Sequence, residues 1–446
     1  MAEVTTKNLK RVLGKKDLAF IAIGQVIGAG IFSMLPTAIG LTGRAASLAF
    51  IMASILTLLV ITPRFFVMGT IRMRGGNYTY VSLFGGQKIG GAYLIVHILM
   101  NIAISMYGLS VAQYLCSAID GLNVTVVGVI VLTVMYVINL VGVKSAARVQ
   151  GVLVVCLLLA IAVFCAFGII RVDPAAYLDT DGFFQNGAMS FLSAAALLTF
   201  ATSGAQTIVN FSAEAKNPTK DMPPVIIGVT VGVALVYAFM AVVASGVLPV
   251  ELVGGQPLTL VAAEILPGPL YAFFIVGGAV FAILTTLNSQ FGWATKPLLQ
   301  GCADGWFPKW LGAVNDRFKT PHVLLTLFYL VGVIPLIFGI DMDTLSGTSV
   351  FSSSVVDIML AACLFRLPKI IPEEWKKSKW HVSDTALKVW TVIGVLAAGF
   401  SAYMSLYTLE PLEMAANIVV VVIALAFGFL VDKFGHVNAE ISYESE

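Results

Sequence analysis

The chain has 446 residues, 59% hydrophobic and 11% charged, with a mean hydropathy of +0.94. That is too apolar for a water-soluble protein of this length and marks an all-α polytopic membrane protein. A net charge of +2 leaves no basic domain for nucleic acid and no acidic tail, and the five cysteines (Cys116, Cys156, Cys165, Cys302, Cys363) lie in or beside apolar segments without the spacing of a zinc site or a disulfide framework.

Residues 1–16 are polar and basic, with no small-residue cleavage site after them, and are expected to remain as a cytoplasmic segment. A window of about 20 apolar residues then finds twelve transmembrane helices: 17–42, 45–70, 90–118, 123–142, 149–170, 188–210, 223–247, 270–303, 322–340, 345–366, 387–408 and 411–432. Positive charge orients them. With the N-terminus inside, the inner loops receive Lys7, Lys10, Arg11, Lys15, Lys16, Arg72, Arg74, Lys88, Lys144, Arg148, Lys216, Lys220, Lys309, Arg317, Lys319 and the run from Arg366 to Lys388, and the tail 433–446 adds Lys433. Only Arg44 and Arg171 fall outside, beside Asp173, Asp179, Asp181, Glu251 and Glu264. The expectation is a plasma-membrane protein with both termini cytoplasmic.

The first span carries IGQVIGAGIF, in which Gly24, Gly28 and Gly30 each cost about 1 kcal/mol relative to alanine in a helix interior, with Pro36 close behind. Gly24 and Gly28 also have the spacing that lets another helix approach closely. The sixth span is interrupted at a comparable depth by Thr202-Ser203-Gly204. Two interrupted helices, each opening a five-helix set, predict an inverted repeat, 17–170 and 188–366, with two further helices at 387–432 and a binding site at the midplane. An unwound turn exposes N–H groups on one half-helix and carbonyls on the other, so backbone alone can hold the carboxylate and the ammonium of an amino acid.

Five motifs in one order, IGQVIGAGIF with GLTGRAASLAF, then RGGNYTY, GVKSAARVQ, NFSAEAKNPTKDMPPVI and CADGWFPKWLGAVNDRFKTP, resemble the amino acid–polyamine–organocation transporters, which have the leucine-transporter fold. The resemblance runs from about residue 15 to at least residue 325. It implies that the N–H groups of Gly28, Ala29, Gly30 and Ile31 take the carboxylate, that the carbonyls of Val26, Phe200, Ala201 and Ser203 take the amine, with Thr202 and Gly204 completing the second turn, and that Phe200 is an aromatic lid. Two departures stand out: GTIRMRGGNYTY lacks the family's usual acidic residue, and NSQFGWATKP lacks a common arginine.

The resemblance also bears on coupling. Members that dispense with sodium often carry a lysine on the fifth helix, where alignment on Lys144 and Gln150 puts Leu157. Ala282, Thr285 and Thr286, with the carbonyls of Gly24 and Ile27, resemble the sodium ligands of coupled relatives and are the candidate sodium set; their hydroxyls could equally bond carbonyls of their own helix. A proton symporter or an obligatory exchanger are the alternatives. Ionisable residues expected well inside the spans are His97, Asp357 and Lys296, with His97 read as packing, Asp357 as bonded to nearby hydroxyls or titrating, and Lys296 as snorkelling to the inner interface. Glu214 is read as a gate or helix cap.

Candidate lining residues are neutral: Gln25, Thr202, Gln206, Asn210, Asn288, Ser289, Ser346, Thr348, Ser349 and Ser352. With no acidic residue or arginine expected near the breaks, a cationic or dicarboxylate substrate is disfavoured and a zwitterionic neutral L-amino acid favoured; amines or polyamines are the second alternative. HExxH, GxSxG and Walker patterns are missing, as are charge rings and filter repeats, which argues against an enzyme and a channel. Prosthetic groups are not indicated. Cys116 lies within the third span instead of an outer loop, which gives no support to a disulfide-linked heavy chain, and no sequence feature sets an oligomeric state.

Overall fold

The computed structural model describes residues 9–118, 121–178, 183–407, 410–434, 437 and 443–445. Residues 1–8 of the N-terminal segment with Lys7, the acidic positions Asp179 and Asp181, and most of the tail 433–446 lie outside the described residues. The rest is almost entirely helical. Nine helices among the described residues are long and apolar enough to cross a membrane, and two shorter apolar ones, Val124–Leu140 and His322–Ile337, accompany them.

The first expected span is two helices, α1 (Lys15–Val26) and α2 (Ala29–Thr42), separated at Ile27-Gly28. A tight turn at Gly43–Ala45 leads into α3 (Ala46–Met68). After a short strand β1 (Ile71–Met73) come α4 (Asn77–Gly85), α5 (Gln87–Met100) and α6 (Ala103–Ala118). The third expected span is therefore interrupted too, at Asn101-Ile102, where the Asn101 amide donates back to the His97 carbonyl at 2.7 Å. Then follow α7 (Val124–Leu140), α8 (Val143–Ile169) and α9 (Gly187–Thr202), the last giving way to a 3-10 stretch, Ala205–Phe211. The second half continues with α10 (Pro218–Val247), α11 (Phe281–Ala303), α12 (His322–Ile337), α13 (Met342–Cys363), α14 (Asp384–Tyr407) and α15 (Pro411–Phe434). α11 is entered through Gly268–Phe273 and a widened π stretch, Phe274–Val280, and glycines 277 and 278 make that widening inexpensive.

The helices sort into two packing groups. α2, α3, α9 and α10 pack on one another, with α1 against α10; α6, α7, α11 and α12 form the other group. α13 packs chiefly on α5 and α14, and α15 on α5. Outward faces are apolar: Val126, Ile130, Val134 and Val137 on α7 and Val389, Val392, Leu396 and Phe400 on α14 are all exposed at helical spacing, as lipid tails require.

Candidate functional site

The two breaks abut. A Cβ on Gly30 would lie 3.1 Å from the Ala201 Cα, and one on Gly204 would lie 2.8 Å from the Gln25 carbonyl oxygen. Gly204 has φ +124, a conformation that L side chains rarely adopt, so this turn requires glycine twice over. Side chains at Gly24 and Gly28 would collide with Gln150 and Thr286, so these two glycines also serve close helix approach.

Because α2 starts at Ala29, the N–H groups of Ala29, Gly30 and Ile31 are those a helix start leaves without an intrahelical acceptor. At the matching end of α9 the Thr199 carbonyl accepts from the Ser203 N–H at 3.0 Å and the Phe200 carbonyl from the Ser203 hydroxyl at 3.1 Å, which leaves those of Ala201 and Thr202 beyond the last helical bonds. These ends face a cavity of ≈ 260 Å³ lined by Val26, Gly28, Gly30, Phe200, Ala201, Ser203 and Gly204. Ile31 and Thr202 are fully buried and do not line it. Thr202 instead shares a 2.7 Å hydrogen bond with Thr57 of α3. The Val26 carbonyl accepts from Gly28 N–H at 3.0 Å and from the Tyr237 hydroxyl at 3.2 Å. Phe200 lines the cavity and is 39% exposed, so its ring is not packed down over the breaks.

Gln25, Gln206, Asn210, Ser346 and Ser349 line the same cavity. Thr348 and Ser352 do not: Ser352 donates to the Thr348 carbonyl and Thr348 is bonded by Asn417. Asn288 and Ser289 line a separate cavity of ≈ 30 Å³. There Asn288 donates to the Gln150 Oε1 at 2.8 Å and accepts from Asn139 at 2.9 Å. A relay of amides crosses beneath the breaks, Trp293 to Gln25 at 3.2 Å, Gln25 to Gln290 at 3.3 Å and Gln290 to Asn101 at 2.9 Å.

The candidate sodium set converges. Thr286 Oγ1 is 2.9 Å from the Gly24 carbonyl and 3.2 Å from that of Ala282; Thr285 Oγ1 is 3.5 Å from the Ile27 carbonyl and 2.7 Å from that of Ala282. The hydroxyls thus bond their own helix and also span to α1. Two hydroxyls and three carbonyls from two helices are thus gathered at one place.

Charged groups depart from expectation at Arg64, Asp357 and Lys296, while His97 has the packed position expected of it. Arg64, inside α3, escaped the inventory of ionisable residues within spans; the signal was a single arginine in ITPRFF. It lines the cavity and pairs with Asp357 of α13, so Asp357 is held by a guanidinium and not by hydroxyls, and the cavity does hold an acid and an arginine. Lys296 does not snorkel. Its side chain is 5% exposed and its ammonium lies 2.9 Å from Glu214, itself 2% exposed. His97 is fully buried, with Nε2 2.8 Å from the Ala294 carbonyl.

On the N-terminal side of the breaks the chain is tied shut by backbone. Leu13 N–H donates to the Glu214 carbonyl at 3.0 Å and Lys216 N–H to the Leu13 carbonyl at 2.9 Å. Arg72 donates to the carbonyls of Ser212 (3.2 Å), Ala215 (2.8 Å) and Lys216 (2.9 Å). The tail strand β2 (Tyr443–Ser445) pairs antiparallel with β1 beside it. Arg72 is the residue that the acid-lacking motif offers in place of side-chain pairs.

The amino acid permease family model matches residues 13–431. The chain belongs to the amino acid permease family. This permease is thus a multi-pass membrane transporter of the amino acid–polyamine–organocation superfamily, not a member of an enzyme family. It is 27% identical to a branched-chain amino acid permease of Bacillus subtilis over 349 residues, 72% of this chain and 73% of that protein. It is 27% identical to the methylthioribose transporter of the same organism over 387 residues, covering 80% and 82%. A third Bacillus subtilis relative, a serine/threonine exchanger, is 27% identical over 382 residues, covering 81% and 84%.

Proposed function

We propose that this permease is a secondary active transporter of zwitterionic neutral L-amino acids, working by alternating access in the plasma membrane with both termini cytoplasmic. The observation that carries it is the pair of abutting helix breaks, where the helix-start N–H groups of α2 and the helix-end carbonyls of α9 would serve the two ends of one amino acid without any side-chain charge. The names of two relatives, for branched-chain amino acids and for serine and threonine, support the neutral class. Among the described residues the only charges on the cavity wall are Arg64 and Asp357, which neutralise each other, and this supports selectivity for net-neutral ligands.

The repeat reading, 17–170 against 188–366 with 387–432 appended, assigns the packing group of α1–α3, α9 and α10 to the part that rocks and the group of α6, α7, α11 and α12 to the frame. Gly24, Ile27, Ala282, Thr285 and Thr286 would hold sodium, whose charge would tie α1 to α11 while the substrate is bound. Exchange without an ion is the competing reading, and the exchanger among the relatives favours it. Uptake of labelled neutral amino acids into proteoliposomes, with sodium or potassium outside and with or without internal amino acid, separates them. Saturable uptake of a neutral amino acid is expected, driven by a sodium gradient. Uptake that needs internal amino acid and ignores sodium would replace symport by exchange, and uptake only of amines would overturn the substrate class.

A further inference from the structure

Arg64 and Asp357 lie away from the breaks, and their depth follows from helix geometry. Thr57, bonded to Thr202 at the second break, is seven residues before Arg64, about 10 Å along α3 at 1.5 Å per residue. Ser349, bonded to the Met100 carbonyl, is eight residues before Asp357, about 12 Å along α13. Both therefore sit in the part of the cavity that runs from the breaks toward the latch of Leu13, Arg72 and the 212–216 turn. Asn77, also on that wall, donates its backbone N–H to the Asn210 side chain at 3.0 Å just behind the latch.

Among the described residues Arg64 and Asp357 hydrogen-bond only to each other, through one guanidinium nitrogen and one carboxylate oxygen. The second oxygen of Asp357 and the remaining N–H groups of Arg64 are unused, and the aspartate side chain is 26% exposed on the cavity wall. The Asn77 Oδ1 is buried without a hydrogen-bond partner, although Asn77 is only 7% exposed. Arg64, Asp357 and Asn77 all line this one cavity.

A contact ion pair with free valences on both members is complementary to one class of small ligand. A net cation or anion is attracted by one member and repelled by the other. A zwitterion laid antiparallel satisfies both, carboxylate on guanidinium and ammonium on carboxylate, with charge-assisted hydrogen bonds at each end. We propose that Arg64, Asp357 and Asn77 form a second station for a zwitterionic α-amino acid, on the path between the helix breaks and the latch. The carboxylate takes the unused N–H groups of Arg64, and the ammonium takes the free Asp357 oxygen and Asn77 Oδ1. The inference rests on the transport reading above and adds a stop to the route, on the side that carries the N-terminus.

The test is the apparent KM for a neutral amino acid, measured separately from each face of proteoliposomes, for wild type, Asp357→Asn, Asn77→Ala and the exchanged pair Arg64→Asp with Asp357→Arg. Losing one charge-assisted bond raises KM at the N-terminal face about tenfold relative to the opposite face. The exchanged pair keeps an ion pair between α3 and α13, so it recovers the wild-type melting temperature while its KM ratio stays raised. If the exchanged pair restores both, or if Asp357→Asn shifts both faces equally, the pair is only a tie between helices and the station is overturned. Wild-type protein that moves no neutral amino acid from either face would sink the transport reading itself, which is a separate result from normal transport with an unchanged KM ratio.

Discussion

The region around the helix breaks and the region on its N-terminal side hold their contacts by different chemistry. At the breaks the available groups are backbone N–H and carbonyl, the neighbours are uncharged, among them Gln25, Phe200, Ala201 and Ser203, and no side-chain charge lies there among the described residues. A few turns away charged side chains hold the helices beside the Leu13 backbone pairing: Lys296 on Glu214, Arg72 on three carbonyls, and Arg64 on Asp357. Backbone binds a small ligand without selecting its net charge or its side chain strongly, and it does so reversibly. Buried charges fix helix to helix and are costly to separate. On the proposed reading, binding belongs to the first region and closure to the second.

That division is sharpened by removing one element at a time. Lys296→Met leaves Glu214 buried and uncompensated, and breaking such a pair costs about 3–5 kcal/mol; thermal unfolding in detergent should show that loss, and adding Glu214→Met should recover most of it. Failure of the second change to recover stability would mean the lysine acts elsewhere. Gly30→Leu pushes into Ala201 across the breaks, so substrate affinity should fall at least about a hundredfold while membrane insertion and fold survive; equilibrium binding of a labelled neutral amino acid reads it. Arg72→Gln removes charge-assisted bonds to the 212–216 turn and should speed cysteine labelling of Asn210→Cys about tenfold; unchanged labelling would move closure to other contacts. The smallest effect belongs to Thr286→Ala, which should raise the half-saturating sodium concentration about threefold to tenfold, and an unaltered sodium titration would remove the proposed ion site.

Much of the first region was legible in the sequence. Glycines in the middle of an apolar run have few explanations, and a second interruption at Thr202-Ser203-Gly204 reduced them further. For Gly24 and Gly28 the close-approach explanation holds, since the residues that crowd them, Gln150 and Thr286, sit on other helices. The second region was much less legible. Lys296 and Glu214 are 82 residues apart, and Arg64 and Asp357 are 293 apart, so neither partner signals the other. A lysine near a helix end looks the same whether it snorkels or turns inward. The break in the third span at Asn101 was invisible for a related reason: the asparagine amide replaces the lost helical bonds locally, in a run that stays apolar on both sides.

The claim that both ends of the amino acid are held by backbone at the two breaks is tested most directly by thermal stabilisation of the purified protein. The ligands are a neutral amino acid, its α-amide and its N-acetyl derivative, each in sodium and in sodium-free buffer. The prediction is that only the free zwitterion raises the melting temperature, and that Gly30→Leu abolishes the shift. Equal stabilisation by the amide or the N-acetyl derivative would contradict it, because one end of the ligand would then have no role at the site.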